Sequence, residues 1–436
     1  MMFSIKNKLR INESSLHLVL LFLCALLPFQ FALNPLPGFD LAILRLLIPA
    51  IFLIWITKQT WADNKDLAKQ KMTKLVLFFL LLSSISLFFT ENFFWSLRKL
   101  LFLFSFAPIY FVSLSFFKKD RSYVRKIILA LVSGATILSF VTLIQFFSQF
   151  IFGINNVYDF LAKNISPLFL GNSFSKTVLA YPSWLVNSNG TTYMRAIGIF
   201  PDPHMLSYYL ELMIPWSIAL AFSSKRKTAW RFLPSAMLIM ADIATFTRGG
   251  YIALIASAII IIPLVDRSAI KKILLSIAVI IIFFLNVPHN PVTSRLNSSF
   301  DMNEGSNHER LSNWQQAVLI IKNNPLGVGI GMYSLAVNPQ ADYRQPIYAH
   351  NLYLDIAAEM GIVTAILFVA ILILAFSSFW IRAKKDPFWI AGVASITLFS
   401  VHSLVESPLY SVHVLPVFFI FLAMASISNN NEKNKL

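Results

Sequence analysis

Apolar runs of about 18 residues or more recur along the chain, the length an α-helix needs to cross a hydrocarbon core of roughly 30 Å. By that criterion the pattern predicts twelve spans, near 16–33, 39–57, 74–90, 94–117, 125–152, 204–223, 231–247, 249–265, 271–287, 350–380, 387–405 and 409–428. The fold class is then an all-α polytopic membrane protein. A five-span bundle occupies 1–152, a long outer loop 153–203, a seven-span region 204–428 and a polar cytoplasmic tail 429–436. A second outer loop, 288–349, interrupts the seven-span region. Within it, 308–323 read as a helix capped by Asn307, with Leu311, Trp314, Val318 and Ile321 on one side, a pattern that suits a helix lying along the membrane surface.

The stretch Ile347 to Gly361 puts one histidine, one amide and two carboxylates at the mouth of an otherwise apolar helix. A helix starting near His350 would carry Asn351, Asp355 and Glu359 at i, i+4 and i+8 on one face, with His350 one step round. Glu359 would then lie about 13 Å below His350, a depth at which a carboxylate needs a partner or a proton. The plain reading is a helix cap followed by inward polar groups that join helices. The chemical reading is a site at the mouth of the span.

Composition fits a membrane protein: 436 residues, 57% hydrophobic and 13% charged, with 41 Phe. A net charge of +16 would point to nucleic acid in a soluble protein. Here the basic residues sit in short clusters between apolar segments, where they set topology and meet anionic headgroups. Membrane lipids are therefore the expected partner, and nucleic acid is not. With the N-terminus in the cytoplasm, 25 of the 36 Lys and Arg fall on inner segments, and both termini are cytoplasmic. The first apolar segment lacks a small-residue cleavage site and reads as a signal anchor. The single cysteine, Cys24, permits no intrachain disulfide. The remaining eleven basic residues, Arg45, Arg98, Lys99, Lys163, Lys176, Arg195, Arg248, Arg295, Arg310, Lys322 and Arg344, lie on the outer side or just inside a span and ask for another role.

Two of these stand in turn-forming contexts. Arg195 precedes Gly198, Phe200, Pro201 and Pro203, and Arg248 opens Arg-Gly-Gly, where glycines would let backbone N–H groups approach a ligand. A guanidinium suits phosphate oxygens and keeps its charge in a partly dry site. The competing role is an ion pair, Asp202 with Arg195 or Asp242 with Arg248. His350 is a candidate general base: a helix start and nearby arginines favour neutral imidazole, whereas Asp355 or Glu359 favours imidazolium. A lone histidine at a helix start also serves structure alone. No spacing of His, Cys or carboxylates builds a metal site, and His402 with Glu406, at i and i+4, reads as an intramembrane hydrogen bond or ion pair. Tyr181, Trp184 and Trp314 place aromatic ring faces in the two outer loops.

Taken in order, four motifs resemble the O-antigen ligase and polymerase superfamily of bacterial envelope proteins. They are Arg195-x-x-Gly-x-Phe-x-x-Pro203, Thr247-Arg-Gly-Gly-Tyr251, Arg310-x-x-x-Trp314 with Asn324-Pro-Leu-Gly-Val-Gly329, and His350-Asn-x-x-Leu-x-x-x-x-Glu-x-Gly361. The resemblance covers 195–361 and reaches the first five spans only by hydropathy. It implies a GT-C-type glycosyltransferase, inverting, metal-independent and without a cofactor. Such an enzyme takes a glycan from an undecaprenyl diphosphate carrier at the periplasmic face of the bacterial cytoplasmic membrane. A ligase passes it to a lipid A core sugar, and a polymerase to another carrier-linked repeat.

The family's essential histidine matches His350, and its essential outer arginines match Arg248 and Arg195, with Arg310 or Arg295 in the last loop. On this reading His350 and Arg248 are catalytic, Arg195, Arg248 and Arg310 hold the diphosphate, and Asn351, Asp355 and Glu359 support them. His350 either removes the acceptor proton or positions the hydroxyl. Pro203-His204 departs from the family's Pro-Asn. The ligase stands slightly ahead of the polymerase. Twelve spans also suit a glycolipid flippase or other transporter, but no related halves are evident and the polar groups gather at the outer face instead of the midplane.

Overall fold

The computed structural model describes residues 13–36, 38–58, 66–180, 183–188, 190–224, 228–265, 305–342 and 346–427. The predicted span at 271–287, together with Tyr181, Arg295 and Arg344, lies outside the described residues. The N-terminal part holds α1 (Glu13–Leu26), α2 (Leu44–Ile56), α3 (Lys71–Ile85), α4 (Phe93–Phe106), α5 (Pro108–Lys119) and α6 (Ser122–Phe152). The C-terminal part holds α7 (Pro203–Phe222), α8 (Leu233–Ile243), α9 (Arg248–Ile261), α10 (Gly305–Asn323), α11 (Leu352–Met360), α12 (Ile362–Ala383), α13 (Ile390–His402) and α14 (Val414–Ala425). Short helices fill 154–180. Two antiparallel hairpins, Ala32–Leu36 with Phe39–Ala42 and Leu185–Ser188 with Thr191–Met194, were not legible as strands among the apolar runs.

Each of the eleven predicted spans within the described residues contains a helix. Among the described residues, five helices are long and apolar enough to cross a membrane: Lys71–Phe89, Phe93–Lys119, Ser122–Phe152, Pro203–Phe222 and Ile362–Ala383. The others are shorter, so twelve full-length spans are not what the described residues show. The span at 94–117 is two helices in line, because Pro108 has no N–H to continue the ladder and starts α5.

The largest correction concerns 350–380. Gly361, at φ +90°, breaks that segment into α11 and α12, so the polar stripe does not descend as one continuous helix. A Cβ on Gly361 would sit 2.7 Å from the carbonyl oxygen of Leu326, and Ile362 N donates to Pro325 O at 3.1 Å. The Pro-Leu-Gly-Val-Gly run therefore lies against the break, with Gly329 N bonded to Glu359 O at 2.9 Å. The surface helix is also longer than its sequence signal: α10 starts at Gly305, so Asn307 is inside it and not its cap. Leu311 and Val318 are exposed, whereas Ala317 packs with Tyr333, Ala349 and Ala358.

Packing sorts the helices by hydropathy. α14 buries all its residues and α13 buries 391–399 without a break, which fits helices that are apolar all round and central. α13 packs against α7, α9 and α12, and α14 against α5. On the outside, α6 exposes Leu129, Ile137, Phe140, Ile144, Phe147 and Ile151 and α12 exposes Val363, Ile366 and Ile373. Such continuous apolar faces suit lipid.

Three long helices connect two chemically different ends. At one end Arg125 of α6 donates to Ser223 O at 3.1 Å, beyond the end of α7, and Arg382 of α12 donates to Met424 O at 2.7 Å and Ala425 O at 3.0 Å of α14. At the other, α6 finishes against Arg195, α7 begins with His204, and α12 begins at Gly361.

Candidate active site at the end of the bundle

The site is assembled around Glu406, just beyond the end of α13. Its Oε1 accepts from Arg310 Nη2 of α10 at 3.1 Å and lies 3.4 Å from His204 Nδ1 of α7, while Oε2 is 3.3 Å from His350 Nδ1. An ionised carboxylate can only accept, so the His350 ring proton is assigned to Nδ1. That leaves Nε2 without a partner among the described residues, on a side chain 43% exposed. Burial raises the Glu406 pKa, but His204, His350 and Arg310 outweigh it and hold the carboxyl well below the usual carboxylate range. Burial likewise lowers His350, and Glu406 outweighs that, so its pKa lies above the ordinary 6.5.

His350 is not in the helix. Its φ is +51°, a left-handed conformation that a side chain with a Cβ seldom adopts, and it precedes the true cap. Asn351 is that cap, its Oδ1 accepting from Tyr353 N at 3.1 Å and Leu354 N at 3.2 Å. Asp355 accepts from Ala349 N at 2.8 Å and from Ser407, and Glu359 accepts from the Tyr410 hydroxyl at 2.7 Å. These three residues tie the His350 turn on one side and 407–410 on the other to α11. Leu352 N donates to Ser403 O at 2.9 Å, which seats the same turn on the end of α13.

Arg195 is held by a network that the sequence did not suggest. Gln145 and Gln149, one turn apart on α6, act as side-chain partners for the extended backbone: Gln149 Oε1 accepts from Met194 N at 2.7 Å and Gln145 Oε1 from Ile197 N at 2.9 Å. The guanidinium, on a residue 4% exposed, donates to Thr245 O at 2.7 Å, Ser183 O at 3.2 Å, Thr247 Oγ1 at 3.2 Å and His204 Nε2 at 3.4 Å. Because Arg195 only donates, His204 Nε2 accepts and its ring proton faces Glu406. The departure from the family's Pro-Asn thus puts a bridge between Arg195 and Glu406. The opening of α7 next to it is capped by Asp202, which accepts from Met205 N at 2.9 Å and is pushed up to about 6 by burial.

Arg248 is the first residue of α9 and is buried. The glycines after it face protein: a Cβ on Gly249 would lie 2.7 Å from Val405 Cγ2, and one on Gly250 would lie 2.2 Å from Glu211 Oε1. Since Val405 adjoins Glu406, the turn that carries Arg248 and the histidine that Glu406 holds meet at the same end of α13. The His402 side chain does not pair with that of Glu406, because α13 ends at His402 and the chain turns; its Nδ1 is 3.1 Å from Glu211 Oε2 instead. Trp184 is 1% exposed, its ring against Tyr158 and its Nε1–H on Pro201 O at 2.9 Å, so it presents no face to a sugar.

Among the described residues no three His, Cys, Asp or Glu side chains form a metal-ligand set. The two histidines on Glu406 meet different carboxylate oxygens.

Residues 233–369 match the family model described as O-antigen ligase. No curated protein matches the chain. The matched segment contains Arg248, Arg310, His350, Asn351, Asp355 and Glu359, and it leaves Arg195, His204 and Glu406 outside. Residues 233–369 therefore carry an O-antigen ligase domain, set among helices long and apolar enough to cross a membrane.

Proposed function

We propose that the protein is a GT-C-type glycosyltransferase that moves a glycan from undecaprenyl diphosphate to an acceptor sugar hydroxyl at the outer face of the cytoplasmic membrane. The acceptor oxygen attacks the anomeric carbon, the bond from that carbon to the diphosphate oxygen breaks, and the configuration inverts. Arg248 and Arg310 stabilise the charge gathered on the departing diphosphate, and Arg195 fixes His204 and the 245–247 turn behind them. His350 Nε2 takes or orients the hydroxyl proton while Glu406 fixes the tautomer through Nδ1. No step needs a metal or an organic cofactor. The observation that carries this reading is the Glu406 carboxylate, which gathers Arg310, His204 and His350 from three separate segments at the end of the bundle where Arg248 begins α9.

The basic clusters around Arg125 and Arg382 lie at the opposite end, which supports cytoplasmic termini and an outward-facing site. A lipid A core sugar as acceptor makes the protein a ligase, the reading we favour. A second carrier-linked repeat would make it a polymerase. The test is transfer by purified protein from a defined carrier-linked glycan to each acceptor without an ion gradient, with mass analysis of products. Absence of product with every acceptor refutes the reading.

A further inference from the structure

Beneath the first turn of α9 lies a polar cluster that the transfer chemistry leaves unused. Ser207 Oγ is 2.8 Å from Glu211 Oε1 and 2.6 Å from Asp242 Oδ1, and His402 Nδ1 is 3.1 Å from Glu211 Oε2. None of the four residues is more than 1% exposed. They join α7, α8 and α13, and α9 rests on them through its glycines: a Cβ on Gly250 would lie 2.5 Å from Ser207 Oγ, and one on Gly249 3.0 Å from His402 Nε2.

Counting protons constrains the cluster. A serine hydroxyl has one proton and an ionised carboxylate has none to give, so Ser207 cannot satisfy two carboxylates at once. One carboxyl must be protonated and donate to the serine. Glu211 faces two donors, Ser207 and His402, whereas Asp242 Oδ2 has no partner among the described residues. A bare oxygen costs less on a neutral acid than on a carboxylate. His402 Nε2 is also without a partner, which fits a neutral ring that gives its one proton to Glu211.

We infer that Asp242 is a neutral acid donating to Ser207, that Ser207 donates to an ionised Glu211, and that Glu211 is a positioning residue for the turn that carries Arg248. One negative charge so placed meets the N-terminal turn of α9, whose aligned peptide dipoles favour it. Thr247 gives that turn no side-chain cap, and the two glycines let it come into contact with the carboxylate. The positioning role rests on the reading of Arg248 as a diphosphate ligand; the proton assignment does not.

The experiment compares full-length wild type with Asp242→Asn and Glu211→Gln. In the infrared difference between wild type and D242N, a protonated-carboxyl carbonyl band sensitive to D2O is expected and is absent from the variant. D242N, which keeps a neutral donor at this place, is expected to transfer glycan close to the wild-type rate. E211Q is expected to lose about tenfold to a hundredfold in kcat, the range of a hydrogen-bonded charge, with the acceptor KM unchanged. Thermal midpoints of the two variants are expected to be similar, which separates positioning from unfolding. A wild type without the band, or a D242N variant that falls as far as E211Q, overturns the inference. The infrared measurement needs no glycan, so a chain that proves not to be a transferase leaves it readable.

Discussion

Glu406→Gln perturbs the site at its centre. The carboxylate, 7% exposed, meets Arg310 at 3.1 Å, His350 at 3.3 Å and His204 at 3.4 Å. An amide of the same shape keeps one acceptor oxygen, turns the other into a donor and removes the charge. Losing one hydrogen bond to a charged group costs about 1.5–3 kcal/mol, or about 10- to 150-fold in kcat/KM if it is felt in the transition state. The pH profile gives a sign as well as a size. In the wild type burial lowers His350 and Glu406 raises it by more, so its pKa stands above the ordinary 6.5. A base must be neutral, so activity rises as pH climbs through that pKa. With Glu406 replaced, burial and Arg310 both act to lower it, and the acid limb moves to lower pH while the plateau falls. Transfer from a defined carrier-linked glycan, followed across the acid and neutral range, reads both quantities. A plateau near wild type, or an acid limb that stays or moves upward, refutes the role given to Glu406.

His350→Ala and Arg248→Ala are each expected to abolish transfer while the protein still inserts at wild-type level by membrane fractionation; near-normal transfer in either removes that residue from the mechanism. Treatment with EDTA is expected to leave turnover intact, and strong inhibition reversed by a divalent cation would overturn the metal-free displacement. Gly361→Ala places a Cβ 2.7 Å from Leu326 O at φ +90° and is expected to destabilise by about 1–3 kcal/mol, read as a lower thermal midpoint in detergent. In a deletion strain, full-length chains held on the carrier support the ligase reading, and single repeats on the acceptor the polymerase.

Much of this architecture was legible because membrane helices announce themselves by length and hydropathy. What the pattern hid was where those helices break. At 350–380 the apolar run continues through Gly361, and hydropathy is blind to a φ of +90°. The hairpin at Leu185–Met194 was invisible for another reason: its strands are four residues each, and Gln149 and Gln145 from α6 pair the backbone at its last residue and just after it. Two glutamines at i and i+4 in an otherwise apolar helix were the available signal, since amides inside a bundle must find partners.

The site shows the same division between what is local and what is not. His350, Arg248 and Arg310 could be singled out by their outer position, and Asn351 with them, though as a residue on the helix face and not as the cap it is. Glu406 could not, because i and i+4 spacing from His402 implies a shared helix face only while the helix lasts, and α13 stops at His402. An inward carboxylate near a span end does announce that it needs a partner. Which partner it finds depends on elements about 100 to 200 residues apart, here His204 and Arg310 for Glu406 and Glu211 for His402. A polar side chain in an apolar segment is therefore best read as an unassigned contact. The paired arrangement of Glu406 and Glu211, one holding the histidine and the other lying beneath the arginine's turn, is the part of the chemistry that only the packed chain contains.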